Sequence, residues 1–144
     1  MQDYKYARLV GIDVGKKRIG VAQTDLLKTI ATPVGTFSPE VVFSNIKNIV
    51  EQAPVEKFVV GWPLSLSGDE GSATQMVEDF IKKLHQSFPH IDIVKIDERY
   101  TSTQAKSLMI EAGIPKKKRR EKGRVDRIAA AIILQNYLDL DSNL

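Results

Sequence analysis

A chain of 144 residues fits one domain and can bury a core without covalent staples. It contains no cysteine and only 2 histidines, which excludes disulfides, thiolate metal sites and cysteine nucleophiles. Any metal must then be held by oxygen ligands, which points to Mg²⁺ or Mn²⁺, while a net charge of +3 is too mild to identify a nucleic-acid ligand.

The amino terminus, Met1–Tyr6, is polar and the first apolar run is short, so no signal peptide is expected. Even Ile128–Leu134 is short and flanked by charge, which argues against a bilayer span and for a cytoplasmic protein. Leu9–Ile12 predicts a short strand, Gly15-Lys16-Lys17 a turn, and Arg18–Ala22 a second strand returning antiparallel to the first. Ala31–Phe37 predicts a third, with Pro33 admissible only near an edge or a strand start. Ser38 as N-cap and Pro39 at the first position predict a helix start; Val42, Ile46, Ile49, Val50 and Ala53 then recur with helical spacing up to Pro54.

Lys57–Val60 predicts a compact strand ending at Gly61, followed by the Gly/Ser/Pro-rich loop Trp62–Ser72. Ala73, Met76, Val77, Phe80, Ile81 and Leu84 mark a second helix that Pro89 ends. Ile91–Ile96 predicts a strand apolar enough to be buried on both faces. Thr101 and Gln104 suggest a capping box for a helix running to Ala112, with Gly113 and Pro115 as its stop. The basic segment Lys116–Arg124 precedes a final helix from about Val125 to Leu138. Antiparallel strands followed by βα alternation, with no repeat or linker, predict one α/β domain over residues 1–144, a mixed sheet with helices on its faces.

Three acids stand out. Asp13 follows the first strand in Gly11-Ile12-Asp13-Val14-Gly15, where it either stabilises a turn or presents a carboxylate. Glu98, in Asp97-Glu98-Arg99-Tyr100-Thr101, falls beyond the carboxyl end of a strand, where α/β sheets gather ligands; a surface ion pair with helix-terminal charge is the alternative. Asp126 leads an otherwise apolar helix and shares a face with Ala129, Ala130 and Ile133, so it projects inward and needs a partner. Its simpler roles are a first-turn acid or a pair with Arg124 or Arg127. Together the three suit two-metal hydrolysis of a phosphodiester, which requires several converging carboxylates and no covalent nucleophile.

Four stretches carry a family resemblance. Residues 11–22, Gly11-Ile12-Asp13-Val14-Gly15-Lys16-Lys17-Arg18-Ile19-Gly20-Val21-Ala22, resemble the opening motif of the YqgF family. Val60-Gly61-Trp62-Pro63-Leu64 with Gly68, Asp97-Glu98-Arg99-Tyr100-Thr101, and Val125-Asp126-Arg127-Ile128-Ala129-Ala130 with Ile133-Leu134-Gln135 resemble its later motifs, in order. Trp62, where a smaller apolar residue is usual, and Gln23, before Thr24-Asp25, depart from the pattern. The resemblance implies an RNase H-like fold with antiparallel first three strands. It also implies an acidic catalytic and metal-binding triad at Asp13, Glu98 and Asp126. Family members are described as Holliday junction resolvases and as nucleases that trim the 5′ end of precursor 16S ribosomal RNA. Ribosomal RNA processing in ribosome biogenesis is the expected role, and junction resolution in recombination and repair the alternative.

Lys16, Lys17 and Arg18 lie beside Asp13, where Lys16 and Arg18 could reach a phosphate; a solvated turn explains Lys17 equally well. Arg99 could contact the scissile phosphate or lock Glu98 in place. Lys116, Lys117, Lys118, Arg119 and Arg120, continued by Lys122 and Arg124, read as a flexible cationic flap tracking a nucleic-acid backbone. The loop Trp62–Ser72 is either a substrate-facing flap or a plain connection, and Trp62 either stacks on a base or joins the core. The expected partners are structured RNA or branched DNA and a pre-ribosomal particle, with the chain a monomer or weak homodimer. Two readings compete from other classes. One is a sugar-kinase or actin-like ATPase, of which one domain supplies only half; the other is a non-catalytic RNA-binding assembly protein.

Overall fold

The computed structural model describes residues 5–65, 67–99, 101–121 and 123–142. Its elements are β1 (Arg8–Val14), β2 (Ile19–Thr24), β3 (Ala31–Phe37), α1 (Val42–Gln52), β4 (Val55–Trp62) and α2 (Ser72–Ser87), then β5 (Asp92–Asp97), α3 (Thr101–Glu111), α4 (Lys116–Arg119) and α5 (Arg124–Ser142). The five strands form one sheet in the order β3-β2-β1-β4-β5. β1, β2 and β3 pair antiparallel, whereas β4 and β5 run parallel to β1. This is the mixed α/β sheet that the order of elements predicts.

Strand alternation divides the core. Val10, Ile12 and Val14 of β1 face Val42, Ile46 and Ile49 of α1 and Val77, Phe80 and Leu84 of α2. Leu9 of β1 and Val59 of β4 face the other way, against Ala130, Ile133 and Leu134 of α5. Each large apolar side chain buried in these layers contributes about 1.5–3 kcal/mol, so both helical layers are strongly held. Helix α3 packs outside α5.

On the α5 side the sheet is paved with glycine. A Cβ at Gly11 would stand 2.8 Å from the Ala130 carbonyl oxygen, and one at Gly20 would collide with the backbone of Asp126. The helix therefore lies on bare backbone, closer than side chains would permit. Its start is set by Gly123, at φ +85°, whose carbonyl accepts a 2.5 Å hydrogen bond from the Thr36 hydroxyl of β3.

Several boundaries differ from expectation. Asp13 belongs to β1 rather than following it. The Ser38 carbonyl accepts from the backbone N–H of Val41 and Val42 at 3.2 and 3.1 Å, so Ser38-Pro39 forms a turn ahead of α1 instead of its first residues. β5 is not buried on both faces: it is an edge strand, exposed at Asp92, Lys95 and Asp97. Its apolar run packs Ile93 towards the α1–α2 layer and Val94 and Ile96 towards α5. Thr101 is buried within the first turn of α3 rather than capping it; Tyr100, which precedes it, lies outside the described residues.

Candidate active site

Asp13 continues the row Leu9–Gly11–Asp13 on the face of β1 that α5 covers. Glu98 is the first residue past β5, where its N–H donates to the Trp62 carbonyl at 3.2 Å and its carbonyl accepts from Thr101 at 3.1 Å. Those two bonds fix its backbone between strand and helix. The side chain then lies over Gly61, where an added Cβ would stand 2.6 Å from Glu98 Oε2 and 2.7 Å from Ile133 Cδ1. Asp126 enters from the first turn of α5, set down on Gly20. The carboxyl ends of neighbouring parallel strands and one helix start thus converge on a single edge of the sheet.

The carboxyls of Asp13 and Glu98 are hydrogen-bonded to each other. Desolvation raises the Asp13 pKa first, opposed by the hydrogen bond from Glu98 and reinforced by the charge of Asp126. Glu98 is pushed up to about 9, first by desolvation and then by the charge and hydrogen bond of Asp13 and the charge of Asp97. Two acids in contact share one proton because they cannot both ionise cheaply. Glu98 holds it and donates to Asp13.

The third acid stands apart. Asp126 accepts from Arg18 Nε at 2.9 Å, an ion pair spanning 108 positions of sequence. Its partner is therefore neither Arg124 nor Arg127; Arg124 instead pairs with Glu121 at 2.9 Å. Among the described residues no group of three or more acidic or histidine side chains lies close enough together to hold a metal ion. The structure brings Asp13 and Glu98 together with Asp126 nearby, its carboxylate turned towards Arg18.

The other expected residues are distributed unevenly. Arg99 pairs with Asp97, Nε and Nη2 both 2.8 Å from Oδ2. Lys16 lies in the exposed turn between β1 and β2. Trp62 packs into the α1–α2 layer with Lys95 Nζ 4.0 Å from its ring centre, on the face opposite the acids, which matches the core alternative for this residue. The loop after β4 is braced within itself: Asp69 N–H donates to Ser65 Oγ at 3.0 Å, and Ser67 Oγ to Asp69 Oδ2 at 2.8 Å. The basic segment is no free flap either. Lys116–Arg119 forms the helical turn α4, with Lys117 and Lys118 exposed and Arg120 following it; Lys122 lies outside the described residues.

Sequence reasoning missed Gly20 and Gly61 as builders of the site. The signal was present, since both sit inside strands, where glycine marks close approach of another chain segment.

Comparison with known proteins decides the family. Residues 7–140 match the model described as "RuvX: Holliday junction resolvase". The chain belongs to the RuvX (YqgF) family. It is 43% identical to a "Putative pre-16S rRNA nuclease" of Chlorobium phaeobacteroides over 94% of both chains. A protein of the same name from Salinibacter ruber is also 43% identical, over 92% of this chain and 93% of that one. The structure of Thermus thermophilus RuvC in complex with a Holliday junction superposes with a TM-score of 0.53 at 15% identity, covering 94% of this chain and 96% of RuvC. That likeness establishes the RNase H-like fold, and family membership makes the chain a nuclease. No helix among the described residues is long and apolar enough to cross a membrane.

Proposed function

We propose that this RuvX-family nuclease hydrolyses phosphodiester bonds with divalent cations held by Asp13, Glu98 and Asp126, in 5′-end processing of precursor 16S ribosomal RNA in the cytoplasm. The observation that carries the chemistry is the proton-sharing Asp13–Glu98 pair. Half-buried carboxyls in contact, with a third acid raising the pKa of Asp13, form a site that a hard cation would relieve. The oxygen donors therefore fit Mg²⁺ or Mn²⁺, and Asp126 completes the set once Arg18 releases it. When bound, such ions supply charge neutralisation at the phosphate and activation of the attacking water.

The chain's own residues do the rest. Glu98 must give up the proton it shares with Asp13, which makes loading easier as pH rises. Arg18, 44% exposed, needs only a short movement to exchange the Asp126 carboxylate for a phosphate oxygen, a better-matched partner for its fork of donors. Lys16, two residues before it in the exposed turn, borders a recess with Phe43, Phe80 and Lys83 and is the weaker candidate. Arg99, which follows Glu98 and is held by Asp97, is a second candidate contact. The ribosomal RNA substrate rests on the names of relatives 43% identical to this chain.

The family description favours a second reading, resolution of four-way DNA junctions. One assay tests both: precursor 16S RNA, a four-way junction and plain single strands, each with Mg²⁺ or Mn²⁺. Precursor RNA is expected to be cut fastest. Asp13→Asn should slow every cleavage by roughly 10²–10³, the usual loss when one electrostatic element of a transition-state site is removed. Equal rates for Asp13→Asn and the parent would overturn the mechanism.

A further inference from the structure

We propose that a recess between α3, α4 and α5 binds a backbone phosphate of the nucleic-acid strand just beyond the cleavage point. The proposal rests on the nuclease reading above but concerns a separate set of side chains. The recess has a volume of about 250 Å³, with Lys106 of α3, Lys116 and Arg119 of α4 and the following Arg120 around it, and Met109 and Val125 in its floor. Lys106 was not singled out by the sequence, because it lies ten positions before the basic run and meets it only in the fold.

Three observations point to an anion. No carboxylate lines the recess, and none of its four cations forms an ion pair among the described residues. The nearby Glu121 is already taken by Arg124 at 2.9 Å. Arg119 Nε is shut away from solvent with no acceptor among the described residues. Arg8 and Arg124 share that feature, yet each anchors another guanidinium nitrogen, on Gln23 at 3.3 Å and Glu121 at 2.9 Å. Arg119 has no such anchor among the described residues. Like charges converging around an unsatisfied buried donor are costly until an anion arrives.

The shape narrows the ligand. The recess is smaller than the roughly 300–1,000 Å³ typical of small-molecule sites, so it suits a phosphate and its sugar rather than a whole cofactor. The apolar floor accepts the carbon face of a ribose. The lining side chains offer donors and no acceptor, the complement of phosphate oxygens, and contacts to phosphate carry no sequence information. Val125 and Asp126 are consecutive on α5, so their Cα atoms lie about 3.8 Å apart. That adjacency along α5 is the route by which a strand leaving the acids would reach the recess.

The test uses the Asp13→Asn chain and fluorescent single-stranded RNAs of increasing length, read by anisotropy across a salt series. Lys106→Gln and Arg119→Gln should each weaken binding of longer strands by about five- to tenfold, the worth of one solvent-accessible hydrogen bond of ordinary net strength. Each should also lower the salt slope by about 1. The double variant should lose less than the product of the two, because both cations hold one phosphate. Strands too short to leave the acids should change less than about twofold, Arg119→Lys should recover part of the loss, and the thermal midpoint should not fall, since no favourable internal contact is removed. Equal losses at every length, or losses that simply multiply, would overturn the recess in favour of a diffuse charged surface. Inorganic phosphate binding as tightly as the strand would overturn it in favour of a free-anion site. Cleavage by the parent chain with Mn²⁺ separates the two levels. If the parent cuts normally while Arg119→Gln binds like it, the recess alone fails; if the parent cuts nothing, the nuclease reading fails.

Discussion

Arg18 and Asp126 are each partly exposed, at 44% and 26%, and an ion pair of that kind is worth only about 0–1 kcal/mol. The pair is thus weak enough to be exchanged and specific enough to hold Asp126 away from Asp13 and Glu98. Arg18→Gln should tighten Mn²⁺ binding by about three- to tenfold in calorimetry without nucleic acid, since it frees a carboxylate and removes a cation. The same variant should bind RNA more weakly. Changes of the same sign in both measurements would rule out the exchange. Glu98 supplies a second residue-level prediction. Its folded pKa is raised to about 9 from the ordinary 4.5, so the folded chain holds a proton that the unfolded chain has lost. The stabilising contribution is complete below pH 4.5 and is lost as pH rises through about 9. The thermal midpoint of the cation-free chain should fall across that window, flatten in Glu98→Gln, and recover at high pH on adding Mg²⁺.

At the scale of elements, the site depends on how closely α5 approaches the sheet. Gly20→Ala forces a methyl into the backbone of Asp126, which cannot rotate away, and should cost about 1–3 kcal/mol by denaturant titration. Gly61→Ala meets the Glu98 carboxyl and the Ile133 tip, which can move, so it should cost less stability while displacing Glu98 and slowing cleavage. Equal stability losses with unchanged cleavage in Gly61→Ala would contradict this account. Much of this architecture was legible in the sequence. The apolar periodicities of α1 and α2 and the oddity of an acid leading an apolar helix are local patterns, and local patterns survive folding. What was not legible depends on partners far apart in the chain. The exposure of β5 follows from its place at the sheet edge, the Arg18–Asp126 pair from two segments joined only by the fold, and the ordering of Lys116–Arg119 from docking beside α3.

Considered as a whole molecule, the features of the proposed site gather on one side of the sheet. The three acids, Arg18 and the recess beside α4 all belong to the α5 layer, whereas α1 and α2 present the opposite layer. A linear strand can therefore be served by one copy of the chain. Resolution of a four-way junction needs two symmetric cuts and hence paired sites. Sedimentation at assay concentrations is expected to give a monomer that cleaves linear RNA; a dimer that cuts junctions symmetrically and leaves RNA intact would reverse the order of the two readings.

The last helix also governs when the enzyme exists. Asp126 follows Asp13 by 113 positions, and the apolar residues that cover Leu9 and Val59 come later still, so all of them leave the ribosome long after the first strand. Domains fold as their segments emerge, and contacts this distant in sequence form late. A half-made chain would carry the first strand and its aspartate with no third acid, no roof over the sheet and no recess. A nuclease built this way thus has no complete site until its last helix has been made and has docked.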